Sequence, residues 1–279
     1  MAPVILFGMG AAKAGSSWLY QWLQRHPECH FRAVKELHYF DTFDLGSPSA
    51  KVKALTQQAD RARANSAQLH VQSAISELRD LFRQPENVLS YIDYLEKGAG
   101  DARVVGDITP AYALLSRNRL RHMAMIEGSM FLYLLRDPVD RLWSHIRMIA
   151  GRQSPRGIVT AEAAEALLSS ALAGHEPAIV ARGDYHMTLT NLLEAVPEQQ
   201  RLVLFYEELI EGPAAHRICD FLGIERQTPP QERTIMLGAD LKRTDEQHAR
   251  MRDFLQPQYD AVEEIMGRLP ATWTGLEKV

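Results

Sequence analysis

The chain has 279 residues, 46% of them apolar and 24% charged, with a formal net charge of −4. That length suits a single α/β domain, expected over residues 1–279, and the slight acidic excess argues against a general nucleic-acid binder. Two cysteines, Cys29 and Cys219, cannot build a disulfide framework, so a reducing cytoplasm is the expected location.

In chain order, Val4–Phe7 is the first expected strand, because four apolar residues run without interruption to a glycine. No basic segment precedes it and glycines and Lys13 follow, so no signal peptide is expected; no window approaches the ~20 apolar residues of a membrane span. Ser16–Arg25 is expected to be helical, with Trp18, Leu19, Trp22 and Leu23 at helical spacing and His26-Pro27 as the stop. Phe31–Phe40 is expected to be extended, and residues 50–97 to form helices with charged outer faces. Arg103–Gly106, Met130–Leu135 and Arg201–Tyr206 are further expected strands, and Val139–Ile149 and Tyr185–Val196 expected helices. Thr160 is the expected N-cap of a helix over Ala161–Ala173. His216–Leu222, closed by Gly223, and Asp245–Leu269, interrupted at Pro257, complete the helical pattern. Strands alternating with helices imply an α/β fold, a central parallel sheet flanked by helices, with ligands at the carboxyl ends of the strands. The loops after Phe7, Leu135 and Tyr206 should then converge.

Three groups of residues carry chemistry. Gly8, Gly10 and Gly15 follow the first strand and lead into a helix, the layout of a phosphate cradle and equally of a tight turn. The run is close to a nucleoside-triphosphate P-loop, with Ser17 in the hydroxyl place, but Ser16 stands where that motif has lysine and Lys13 comes earlier. A kinase using Mg-ATP, the alternative reading along with a catalytically silent nucleotide-binding protein, would need that lysine and a metal-holding aspartate, for which Asp107 is the candidate. Second, Arg136 at a strand end and Ser144 on the next helix can grip one phosphate from two sides, or be a surface pair with Asp137 and a solvent-facing serine. Third, alternation in Lys35-Glu36-Leu37-His38-Tyr39-Phe40 would put Glu36, His38 and Phe40 on one face of an extended segment, a carboxylate and an imidazole placed to deprotonate a hydroxyl or amine.

Together these runs resemble the sulfotransferases that use 3′-phosphoadenosine-5′-phosphosulfate (PAPS). Lys13-Ala14-Gly15-Ser16-Ser17-Trp18 is similar to their 5′-phosphosulfate loop, and Arg136-Asp137-Pro138 through Ser144 to their 3′-phosphate motif. Lys35–Asp41 is similar to the segment that holds the catalytic glutamate of the glycan (heparan-type) branch, and Arg182-Gly183-Asp184-Tyr185 and Leu202–Leu209 to later family elements. The resemblance implies the P-loop-like sulfotransferase fold, PAPS as co-substrate, no metal, and an acceptor that is a carbohydrate, lipid or small metabolite. It implies that Lys13 meets the bridging oxygen and sulfuryl group, and that Ala14, Gly15, Ser16, Ser17 and Trp18 hold the 5′-phosphate. By the same resemblance Arg136 and Ser144 take the 3′-phosphate, Tyr206 lies near the adenine, and Lys242 and Arg243 close over the 3′-phosphate. Glu36 would be the base, with His38 auxiliary. Much of the glycan branch carries a lysine before Thr-Pro-Ala-Tyr; Ile108 stands there, so a second lysine at the site is not expected.

Overall fold

The computed structural model describes residues 2–63, 69–154, 157–210, 213–229 and 241–274. Part of one sequence expectation, residues 64–68 of the polar helical stretch, falls outside them. Five parallel strands form one sheet in the order β2-β3-β1-β4-β5: β1 (Val4–Gly10), β2 (Cys29–His30), β3 (Val104–Ile108), β4 (Ser129–Leu135) and β5 (Arg201–Phe205). β1 is central, pairing with β3 on one side and β4 on the other. Covered on both faces, its residues read as one apolar run rather than an alternating one: Leu6 and Phe7 are fully buried. The expected parallel sheet is therefore present, and the strands from Val4, Met130 and Arg201 fall where their apolar patterns put them.

The helices in chain order are α1 (Ser16–Gln24), α2 (Tyr39–Asp44), α3 (Pro48–Arg63), α4 (Leu69–Leu81), α5 (Val88–Glu96), α6 (Arg117–Ala124) and α7 (Pro138–Gln153). They continue with α8 (Ala161–Leu172), α9 (Pro177–Ala181), α10 (Tyr185–Ala195), α11 (Tyr206–Ile210), α12 (Pro213–Leu222), α13 (Asp245–Phe254), α14 (Gln256–Met266) and α15 (Ala271–Thr274). Caps explain several boundaries. Thr160 Oγ1 accepts the Ala163 N–H at 3.2 Å, as its position before an alanine-rich run suggested. Asp137 is the N-cap of α7 and Pro138 its first residue, so the Asp-Pro pair both ends the approach from β4 and starts the helix. Pro257 opens α14 at its first turn, splitting the expected long C-terminal helix in two.

The chain leaves β1 for β2 at one edge and later places β4 on the opposite side of β1. Connections thus diverge on either side of β1, which opens a crevice at the carboxyl ends of the strands. Among the described residues, no helix is long and apolar enough to cross a membrane.

The segment 31–40 departs from the expected extension. Regular strand is confined to Cys29–His30; Glu36 and His38 both adopt left-handed backbone (φ 57° each), and His38 is the N-cap of α2. Phe40 consequently does not share a face with Glu36 and His38. It is 1% exposed and packs edge-on against Phe7 (5.8 Å between centroids), Tyr91 (5.3 Å) and Tyr112 (5.7 Å). Aromatic burial outweighed the local alternation.

Candidate active site

A cavity of about 420 Å³ opens at the carboxyl ends of β1 and β4. Its floor is the turn that carries β1 into α1. Gly15 takes a left-handed conformation (φ 91°) as the N-cap of α1, and a Cβ there would lie 2.5 Å from Cε2 of the Tyr206 ring. Only glycine meets both conditions. Gly15→Ala is expected to lower stability by about 1–3 kcal/mol, read as a drop in the urea midpoint; an unchanged midpoint would refute this account of the turn.

Beyond Gly15, the first turn of α1 presents unpaired N–H groups and the positive end of the helix dipole to the cavity. Ser16, Ser17 and Trp18 line it, as does Lys13, itself left-handed at φ 73°. Ala14 does not: its side chain is fully buried and its N–H donates to the Ala11 carbonyl at 3.1 Å. Lys13 Nζ reaches Met148 Sδ of α7 at 3.8 Å. Burial holds the Lys13 ammonium below its usual range, and the nearby charges of Arg136, Arg152, Arg147 and Lys35 act in the same direction.

Arg136 and Ser144 line the same cavity. Arg136 is not a surface partner of Asp137: its Nη1 donates to the Lys13 carbonyl at 3.0 Å, and its guanidinium lies 5.3 Å from the centre of the Tyr206 ring. Asp137 instead caps α7, accepting the Asp140 N–H at 2.8 Å and the Tyr259 hydroxyl at 2.8 Å. Tyr206, which begins α11 rather than ending β5, closes this side.

Glu36 and His38 enter from the opposite wall. Glu36 Oε1 accepts from Lys35 Nζ at 2.7 Å, its Oε2 lies 3.8 Å from His38 Nε2, and Asp41 Oδ2 is 2.7 Å from His38 Nδ1. Lys35 Nζ also donates to Ser17 Oγ at 2.9 Å, tying the carboxylate wall to the glycine turn. So a second lysine does reach the site, contrary to the expectation from Ile108; it comes from position 35.

Asp107 holds this wall in place. The Leu37 N–H donates to its Oδ1 (3.3 Å), the His38 N–H to Thr109 Oγ1 (3.3 Å) and the Tyr39 N–H to the Tyr112 hydroxyl (3.1 Å). Asp107 in turn accepts from Thr109 (2.6 Å), Tyr112 (2.6 Å) and Tyr91 (2.9 Å). Burial raises its pKa, which those hydrogen bonds oppose. Its oxygens face hydroxyls in the core and do not line the cavity, so it is not the metal-holding aspartate a kinase reading requires.

Lys242 and Arg243 lie elsewhere. They line an adjacent cavity of about 660 Å³ with Trp143, Arg147 and His248, and of the cavity-lining residues Arg136 and no other belongs to both. Arg243 donates to Asp140 Oδ1 (2.6 Å) and His248 Nδ1 (3.0 Å). Sequence reasoning gave no role to Lys35, Met148, Arg152 or Arg182 and left open whether His145 lines the pocket or packs; all five line the main cavity. For two of them a signal existed: Met148 and Arg152 follow Ser144 in one-turn steps of four residues on α7.

His145 is 3% exposed, and burial together with Arg141, Arg182, Lys13 and Arg152 pushes its pKa down to about 3 from the usual 6.5. The unfolded chain therefore binds one more proton than the native one between those values, so stability falls with falling pH by at most ~1.4 kcal/mol per unit. His145→Asn should flatten the slope of unfolding free energy between pH 6.5 and pH 5; parallel slopes would contradict it.

The cavity thus gathers five cationic side chains, Lys13, Lys35, Arg136, Arg152 and Arg182, against one carboxylate, in a chain of net charge −4. With a glycine turn opening onto a helix N-terminus at the switch point of a parallel sheet, it defines a P-loop-like α/β protein with a cation-rich cleft. A family model described as "Sulfotransferase family" matches residues 3–229, and the chain belongs to that family. Among solved structures, the crystal structure of a sulfotransferase from Alicyclobacillus acidocaldarius is similar with a TM-score of 0.67 at 19% identity, covering 98% of this chain and 100% of that one. The sulfotransferase domain from the curacin biosynthetic pathway has a TM-score of 0.49 at 17% identity, covering 92% and 98%. Mouse sulfotransferase SULT7A1, complexed with PAP, has a TM-score of 0.38 at 16% identity, covering 96% and 66%. No curated protein matches the sequence.

Proposed function

We propose that this protein transfers the sulfuryl group of PAPS to a hydroxyl or amine of a carbohydrate, lipid or small-metabolite acceptor. One observation carries the reading. Among the described residues, the non-glycine residues with left-handed backbone are Lys13, Glu36 and His38, and all three line the cavity. Such conformations cost about 1–3 kcal/mol each and persist where function demands them. Lys13, Gly15, Ser16, Ser17 and Trp18 hold the 5′-phosphosulfate, and Arg136 with Ser144 holds the 3′-phosphate, with Tyr206 beside the nucleoside. Lys242 and Arg243 close over the 3′-phosphate from the adjoining cavity, with which the site shares Arg136.

In the transfer, the acceptor oxygen or nitrogen attacks sulfur as the bond from sulfur to the 5′-phosphate oxygen breaks. The electron pair leaves with 3′-phosphoadenosine-5′-phosphate (PAP), where the Lys13 ammonium meets the charge. The acceptor proton passes to Glu36. Alignment and charge stabilisation are the main demands of such a step.

Thermal shift tests the donor. PAP should raise the melting temperature well above the shift given by ADP or Mg-ATP at equal concentration, since binding to the native state alone adds RT ln(1 + [L]/Kd). An equal or larger response to Mg-ATP would favour a kinase and sink the PAPS assignment. Selective PAP binding without release of PAP from PAPS, across a panel of acceptors, would favour a catalytically silent protein.

A further inference from the structure

Of the five cations in the cavity, the donor reading uses Lys13 and Arg136, and Lys35 is matched by Glu36 at 2.7 Å. Arg152 and Arg182 are left over. Neither side chain has a hydrogen bond or ion pair among the described residues, although both line the cavity.

Their position separates them from the donor. Along α7 the cavity wall is formed by Ser144, then Met148 and Ile149, then Arg152. Lys13 meets Met148. At 1.5 Å per residue, Arg152 stands about 12 Å beyond Ser144 and about 6 Å beyond the Lys13 level, away from Arg136 at the start of the helix. It is solvent-exposed. Arg182 arrives from the turn between α9 and α10, and that turn is fixed from below. Gly183 lies flat on the buried Arg141 guanidinium, which a Cβ at 183 would overlap. The fields of Arg182 and Arg152 both fall on His145, which stays neutral between them and adds no charge of its own. The apolar part of the cavity lining includes Met148 and Ile149 on the same helix as Arg152, and Pro110 and Ala111.

We propose that Arg152 and Arg182 form an acceptor subsite for an oxyanion, so that the acceptor is an amphiphilic molecule whose hydroxyl or amine lies a short apolar span from a carboxylate, sulfate or phosphate. The proposal rests on the sulfotransferase reading given above. Guanidinium groups suit planar or tetrahedral oxyanions because they donate in a fixed fork. Two such groups without carboxylate partners repel each other until an anion joins them. The apolar lining takes the body of the acceptor and leaves its nucleophile beside Glu36.

The test uses calorimetry on the full chain saturated with PAP, at one fixed ionic strength. The probes are 4-hydroxyphenylacetate and its uncharged partner 4-hydroxyphenylacetamide. The carboxylate should bind roughly tenfold or more tightly than the amide, as expected for charge-assisted hydrogen bonds. Arg152→Gln and Arg182→Gln should each reduce that preference and together abolish it, with PAP affinity within about twofold of wild type. Equal binding of the two probes, binding of neither, or a preference that survives both substitutions overturns the proposal. A large loss of PAP affinity in the arginine variants also overturns it, by assigning them to the donor. Failure of the wild type to bind PAP would instead overturn the donor assignment, and the same pair titrated onto the free protein still reads the subsite.

Discussion

Glu36→Gln is expected to lower sulfuryl transfer by ~10²–10⁴-fold, the range a positioned general base contributes. The substitution is nearly isosteric. Its amide oxygen can still accept from Lys35, which holds Glu36 Oε1 at 2.7 Å and Ser17 Oγ at 2.9 Å, so the wall and the glycine turn should remain joined. PAP affinity should therefore change little while the turnover number collapses. That split distinguishes lost chemistry from lost architecture. His38 is the competitor for the role. With its Nδ1 held by Asp41 at 2.7 Å, its Nε2 faces Glu36 Oε2 at 3.8 Å, within reach of the same proton after a small adjustment. If Glu36→Gln keeps near-wild-type turnover and His38→Gln abolishes it, the base is His38 and the assignment to Glu36 is wrong.

The sheet was legible because parallel strands buried on both faces write themselves as unbroken apolar runs. Val4–Phe7 and Met130–Leu135 fall within β1 and β4, and Arg201–Tyr206 differs from β5 by one residue. The edge strand β2 escaped because two residues, Cys29 and His30, carry no periodicity. The site was legible in part. The glycine turn announces itself through Gly15, whose left-handed backbone glycine alone adopts freely. Glu36 and His38 take the same backbone region without glycine, and nothing in a Lys-Glu-Leu-His-Tyr-Phe alternation reveals it. What enforces it is distant in sequence: Asp107, Thr109 and Tyr112 capture three successive N–H groups of residues 37–39. Long-range hydrogen bonds of this kind leave no local pattern. The same holds for Lys35 and Arg182, which reach the cavity only once the loops are folded against α1 and α7. Reading Ile108 as the loss of a second lysine was sound for that position but silent about position 35.

The polarity of the cleft points to the next test. Lys13→Met should reduce the turnover number by roughly 10²–10³-fold, the cost of removing one preorganised group aimed at developing charge. Methionine keeps an apolar stem against Met148 and removes only the ammonium. PAP should still bind, because the turn's N–H groups and Arg136 remain. The pH dependence carries a separate signature. Burial and four neighbouring cations hold the Lys13 pKa below the ordinary 10.5, so the ammonium is lost earlier as pH rises. Since kcat/KM reports ionisations of the free enzyme, its alkaline limb should fall at lower pH than an ordinary lysine would allow. In Lys13→Met that limb should vanish while the residual rate persists. A variant that retains both the wild-type rate and the alkaline limb would remove Lys13 from the chemistry and leave it a structural member of the turn.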